Sequence, residues 1–206
     1  MNQANPAQLL FEQYLRERGY TFEPIHESQV EGEKTCDYRV ETASGDVYVE
    51  VEGIVWSPKE NFLLDPSHEP WTGDIRKRAL DSALHRASKQ LKRYAPRPCL
   101  IVLHSTAPTV LLFEDEVQAA MFGNETGHGR IVHPHRAKPH VSAVAVVEEF
   151  NPYANSKVVR LRVYENRAAG TALPRDVFAG QHDTRWATLA DGGTCSQLAG
   201  PVEHES

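Results

Sequence analysis

Asp37, Glu50 and Glu52 carry the strongest chemical signal in this chain. Val47, Val49 and Val51 alternate strictly with Tyr48, Glu50 and Glu52, which is the two-residue period of a β-strand. Residues 36–42 read as a preceding strand, with Ser44 and Gly45 as the turn between the two. That turn would pair Arg39 with Glu50 and Asp37 with Glu52, and would set all four side chains on one face. Directly opposed Cβ atoms lie about 5 Å apart, and like charges there are destabilising. A divalent cation removes the repulsion, and hard oxygen donors suit Mg²⁺ or Mn²⁺. The competing reading is an acidic strand face in water. A one-residue change of turn length would send Asp37 to the other face.

The elements around these acids follow from hydrophobic period. Residues 7–18 read as a helix with Leu10, Phe11, Tyr14 and Leu15 in one stripe and Gly19 as its stop. Residues 20–26, 36–42 and 47–54 read as three strands. A long loop over 56–73 holds Trp56 and Trp71, and a long helix follows over 74–94. The run at 98–104 is short, apolar and flanked by prolines, as a buried strand is. Beyond it come a helix at 114–122 and strands at 141–149 and 158–164. The expected fold is an α/β class with an αβββαβ core, a mixed central sheet flanked by helices, and a C-terminal αββ extension. Residues 1–104 form the core in this reading, 105–190 an extension packed on the same domain, and 191–206 a disordered tail.

Charge sharpens the picture. The chain of 206 residues has a net charge of −6, which does not by itself suggest a nucleic-acid partner. Between Ile75 and Arg97, however, eight Lys or Arg stand against one acid, Asp81, a local charge of +7. A basic stripe on an acidic protein can meet a phosphate backbone, and it can also be a solvated helix face. Three separated cysteines, Cys36, Cys99 and Cys195, form no CxxC pair, which points to a reducing cytoplasm. No run approaches 18 apolar residues and no signal peptide is evident, so no membrane role is expected.

The pattern Asp37-x12-Glu50-Val51-Glu52, on adjacent strands and followed by a long helix and a strand, resembles the PD-(D/E)XK nuclease superfamily. The matching stretches are TCDY at 35–38, YVEVEG at 48–53 and QLKRY at 90–94. The last is similar to the Q-x-x-x-Y motif of the RecB-like branch, and Gln90 and Tyr94 lie one helical turn apart on the face of Ala83, Ala87 and Leu91. The resemblance covers residues 7–104 and implies an αβββαβ core. It implies that Asp37, Glu50 and the carbonyl of Val51 hold Mg²⁺ or Mn²⁺, that Gln90 orients water or phosphate, and that Arg86, Lys89, Lys92, Arg93 and Tyr94 meet the nucleic acid. Three departures stand out. Glu52 replaces the motif lysine and becomes an extra ligand or a base, with Lys89 as a stand-in for the lysine. Cys36 replaces the motif proline. Gln8 falls where the family's first helix often carries Glu; the nearest acid, Glu12, is expected to point away from the apolar stripe.

The expected function is metal-dependent hydrolysis of DNA phosphodiesters by a cytoplasmic protein, with a homodimer or protein partner left open. The alternative is an inactive nuclease-fold module that binds nucleic acid or a protein. Other signals are weaker. His128, His133, His135 and His140 lie in a Gly- and Pro-containing loop that offers zinc no rigid frame. His85 is a phosphate contact or a surface residue. Arg160 and Arg162 share a strand face and pair best with Glu148 and Glu149. Trp56 and Trp71 either stack on bases or close over the core.

Overall fold

The computed structural model describes residues 5–25, 35–57, 72–107, 112, 116–117, 120–121, 125–126, 130–131, 138–153, 156–166, 168–187 and 196–198. The order begins α1 (Pro6–Glu17), β1 (Thr21–Pro24), β2 (Tyr38–Thr42), β3 (Gly45–Ile54), α2 (Thr72–Leu91) with a 3₁₀ turn (Lys92–Tyr94), and β4 (Cys99–Ser105). This is the expected αβββαβ sequence of elements. It continues with a small hairpin of β5 (Glu125–Thr126) and β6 (Arg130–Ile131), then β7 (Ala143–Tyr153), β8 (Ser156–Glu165), β9 (Thr184–Ala187) and β10 (Ser196–Leu198).

Eight strands form one mixed sheet in the order β1-β2-β3-β4-β7-β8-β9-β10. β3 and β4 are parallel, joined through α2, and β4 is parallel to β7. The sheet separates two apolar cores. Ala7, Phe11, Tyr14 and Leu15 of α1 pack on Val47, Val49, Val51, Leu100 and Val102. Leu80, Ala83, Leu84, Ala87 and Leu91 of α2 pack on the opposite face, against Tyr48, Ile54, Ile101 and Leu103. Cys99 to Leu103 is buried at every position because both faces of β4 are covered, which is why its sequence runs apolar without alternation. β3 shows the division directly: its odd-numbered valines face α1 and its even-numbered Tyr48, Glu50 and Glu52 lie on the α2 face.

α1 begins where the sequence signals it. The Asn5 side chain accepts from the Ala7 N–H at 3.1 Å, Pro6 occupies the first turn, and Gly19 with φ +72° follows the C-terminus. The helix N-terminus lies over Gly53, where an added Cβ would stand 3.2 Å from Asn5 Oδ1 and 3.6 Å from Ala7 Cβ. The glycine permits that approach, which carries Gln8 to the end of the sheet that holds the acids.

Several expectations change. The β2–β3 turn is Ala43–Ser44, with Thr42 paired to Gly45, and not Ser44–Gly45. Gly45 has φ +111°, and the Thr42 hydroxyl donates to the Gly45 carbonyl at 2.6 Å, which fixes the turn one residue earlier. The pairing moves by two positions, so the side chains within β2 and β3 keep their faces but take new neighbours. Glu12 does not turn away from the sheet: Tyr38 donates its hydroxyl to Glu12 at 2.9 Å. The second half of the chain adds more than two strands, since β9 and β10 extend the same sheet. Ser196–Leu198, inside the stretch expected to be a disordered tail, pairs with β9. At 114–122 the described residues 116–117 and 120–121 are helical.

Two buried polar clusters order the second half, and the first of them ties it to α1. Asp183 accepts from the Tyr14 hydroxyl at 2.7 Å, the Leu161 N–H at 2.8 Å and the Gly180 N–H at 2.7 Å. Arg185 donates to the carbonyls of Leu173, Pro174 and Arg175 at 2.7–2.9 Å. A long return segment without regular structure is fixed in this way, each buried charge being matched by several partners.

Candidate functional site

The acids meet where β2 ends and β3 continues. Even-numbered residues of β3 turn their N–H toward β4, as Tyr48 does onto the Pro98 carbonyl at 2.9 Å, and odd-numbered ones turn toward β2. Carried two residues past Tyr38–Val49, the ladder would offer the Val51 N–H to Cys36. The Asp37 carboxylate takes it instead, Val51 N to Oδ2 at 2.7 Å. The Val51 carbonyl points to the same side as its N–H. The ladder ends at Tyr38–Val49: Cys36 joins the α2-side core and not the α1-side core of Tyr38, so alternation stops at Asp37 and its carboxylate lies against the Val51 N–H, next in sequence to Glu50. The Asp37 carboxylate therefore sits beside the Glu50–Val51 peptide, and not opposite Glu52 as the Ser44–Gly45 turn would have made it.

Each of these two carboxylates receives a glutamine amide from a different helix. Gln8 of α1 donates Nε2 to Asp37 Oδ1 at 2.7 Å. Gln90 of α2 donates Nε2 to Glu50 Oε1 in a short hydrogen bond. Glu50 is 5% exposed, and a carboxylate so deeply buried requires donors. Both amides are neutral, and turning either by 180° would present its carbonyl oxygen instead. Gln8 occupies the position at which the resemblance places Glu, and it reaches the same acid without bringing charge.

Glu52 goes elsewhere. Its Oε2 accepts from Arg86 Nη2 at 2.9 Å, and Arg86 Nη1 donates to Ser82 Oγ at 2.9 Å. Among the described residues no group of three or more His, Cys, Asp or Glu side chains gathers as a metal cage. Among the described residues the three carboxylates thus do not gather at one point: Asp37 bonds the Val51 N–H next to Glu50, while Glu52 is held by a guanidinium. The Arg86 side chain has a reach that a strand-borne lysine would not need, and the sequence alone points to it only as a separate phosphate contact.

Tyr94 closes the inner end. Its ring stacks on Tyr48 with centroids 4.4 Å apart at 20°, and Arg97 lies over Tyr48 at 5.2 Å. Burial, reinforced by the hydrogen bond to Cys36, pushes the Tyr94 hydroxyl up to about 12. Burial pushes the Cys36 thiol up to about 12 as well, with Glu50 and Asp37 raising it further and Tyr94 opposing. Cys36 lies under the acid pair as a neutral thiol. Lys89, Lys92 and Arg93 are exposed on α2 and the turn that follows it, and so is His85.

The remaining candidates are accounted for by local structure. Trp56 closes over the core at 5% exposure and donates its indole N–H to Ser105 Oγ at 3.0 Å. Arg160 and Arg162 pair with Glu148 at 2.7 and 3.0 Å, while Glu149 takes Lys157. His140 contacts the Ser88 hydroxyl at 2.9 Å. His128, His133, His135, Trp71 and Cys195 lie outside the described residues.

No protein-family model matches the sequence, and no curated protein matches it either. Among solved structures the chain is similar to SfsA of Pyrococcus furiosus in complex with Ca²⁺. The identity is 15% and the TM-score 0.32, with 75% of this chain and 59% of that chain covered. The chain thus spans less than two thirds of the structure it matches, and the likeness at this level extends to neither a site nor an activity. No helix among the described residues is long and apolar enough to cross a membrane.

Proposed function

We propose that this protein is a metal-dependent nuclease that hydrolyses DNA phosphodiesters. The observation that supports it is at the β2–β3 junction, where the Asp37 carboxylate takes the Val51 N–H beside Glu50 and each acid receives one glutamine amide. The donor set fits Mg²⁺ or Mn²⁺: two carboxylates, the Val51 carbonyl on the same edge, and two amides that can turn an oxygen inward. Such a cation supplies Lewis acidity to a phosphate and to the attacking water. The chain's own residues do the rest. Asp37 and Glu50 hold the charge, and the Asp37 bond to the Val51 N–H fixes the orientation of its carboxylate. Gln90, on a helix that also carries the basic residues, orients groups at Glu50 relative to the backbone those residues hold. Lys89, Lys92 and Arg93 face solvent, where phosphates can be met.

The ion pair of Glu52 with Arg86 favours a second reading, a module that binds DNA and has lost hydrolysis, because it leaves no lysine on β3 at the acid pair. Mn²⁺ binding by calorimetry tests the first reading, wild type beside Glu50→Gln. Binding that disappears in the variant supports the carboxylate site, and a cleavage screen over DNA substrates then separates enzyme from module. No binding by either protein overturns the nuclease.

A further inference from the structure

We propose that Glu52 is a positioning residue that holds Arg86 as the phosphate contact of the site, the couple taking the place of a single strand-borne lysine. This deepens the reading above and rests on its assignment of this face to DNA. Glu52 is two residues beyond Glu50 on the same face of β3, and Arg86 is four residues before Gln90 on the same face of α2. The Glu52–Arg86 contact is therefore the next rung beside Glu50–Gln90, one step further out along the sheet.

The geometry of that rung distinguishes a held donor from a neutralised one. Glu52 is nearly buried, its side chain 13% exposed, while that of Arg86 is 51% exposed. The acid is mostly shielded, and the guanidinium that bonds it is open to solvent. One Nη bonds Glu52 and the other bonds Ser82, so the plane of the fork is set from two sides. A guanidinium has five N–H donors, and the two bonds leave the others for an anion. A planar fork suits phosphate, and its exposed helix neighbours Lys89, Lys92 and Arg93 supply the field that draws a polyanion to it.

The sign of one substitution decides the matter. Removing a negative charge from a surface that binds a polyanion should tighten binding; removing the residue that positions Arg86 should weaken it. The test is affinity for a fluorescent DNA duplex in Ca²⁺ buffer over a range of salt, beside Mn²⁺ calorimetry. Arg86→Gln should weaken duplex binding about five- to tenfold and lower the salt slope by about one phosphate contact. Arg86→Lys, an exposed change with no risk to folding, should recover little of the loss because it keeps the charge without the fork. Glu52→Ala should also weaken binding, and Arg86→Gln added to it should cost almost nothing more, with Mn²⁺ affinity unchanged in all. Tighter duplex binding in Glu52→Ala, full rescue by Arg86→Lys, or loss of Mn²⁺ in Glu52→Ala each overturns the proposal. Wild-type protein that binds duplex through Arg86 but takes no Mn²⁺ sinks the nuclease and leaves this contact standing. Wild-type protein without duplex affinity overturns both.

Discussion

Tyr48 and Tyr94 stack at 4.4 Å, and this contact sets the register by which α2 lies across β3. Four residues back along the helix, Gln90 meets Glu50; four further back, Arg86 meets Glu52. Two residues of strand advance about 6.6 Å. Four residues of helix advance about 6 Å. The two repeats nearly match, so three consecutive rungs form between Tyr48, Glu50 and Glu52 and Tyr94, Gln90 and Arg86. The Gln90-x-x-x-Tyr94 spacing is the helix half of this ladder, and the inner aromatic rung anchors the two polar ones.

Loss of the middle rung should be felt as stability. Gln90→Ala leaves Glu50 buried with one donor fewer, and an under-satisfied buried carboxylate costs about 1–3 kcal/mol. Urea unfolding in EDTA should show that loss, and Mn²⁺ should restore part of it. A variant as stable as wild type in EDTA would mean that the Gln90 amide contributes nothing to holding Glu50.

The sequence made the faces of β2 and β3 legible but not the neighbours. Side-chain alternation fixes Glu50 and Glu52 on one face whatever even shift the turn imposes, whereas Asp37 stands just before β2, where alternation ends and Gln8 of α1 reaches it. The exact turn depends on Gly45 adopting a positive φ and on the Thr42 hydroxyl bonding across it, and neither is visible in a hydrophobic pattern. The Arg86–Glu52 contact was readable in principle from the four-residue spacing of Arg86, Gln90 and Tyr94 set against the two-residue spacing of β3. Reading it requires knowing which helix covers which strand. The short strands β9 and β10 had no signal because polar clamps such as Arg185, rather than apolar periodicity, order the chain before them.

Alkaline pH should destabilise the fold in a defined window. Burial raises the Cys36 and Cys99 thiols from 9.0 to about 12, and burial with the Cys36 contact raises Tyr94 from 10.0 to about 12. In the unfolded chain these groups lose their protons first, so the unfolded state binds fewer protons between about pH 9 and 12 and stability falls as pH rises. The stabilisation is complete below the unfolded values and gone above the folded ones. Urea midpoints at pH 8 and pH 10.5 should differ, and Cys99→Ala should flatten the slope. Identical midpoints in wild type would contradict the burial of these groups.

Gly180 offers a test of the fold away from the acids. A Cβ there would stand 2.5 Å from Arg18 Nε and 2.6 Å from Asp183 Oδ2, on the carboxylate that also receives Tyr14. Gly180→Ala must displace that cluster, at a cost of about 1–3 kcal/mol. Thermal unfolding should register it while Mn²⁺ affinity stays at the wild-type value. A change in Mn²⁺ affinity of tenfold or more would show that the clamp between α1 and β8 also positions Gln8.

Gln8→Glu probes the ion site through two opposite effects. The amide that donates to Asp37 at 2.7 Å is replaced by a carboxylate at the same place, in contact with an acid that lies against the Val51 N–H beside Glu50. Without a cation the added repulsion should lower stability by about 1–2 kcal/mol near neutral pH, a penalty that protonation relieves on acidification. With Mn²⁺ the same carboxylate becomes a third acidic oxygen, so the ion should bind more tightly than to wild type and raise Tm by a larger increment. The measurement is Tm in EDTA and in Mn²⁺ for both proteins at pH 7. A variant that starts lower and gains more fits an ion held between α1 and the β2–β3 junction. Equal gains would place the ion, or its absence, out of reach of Gln8.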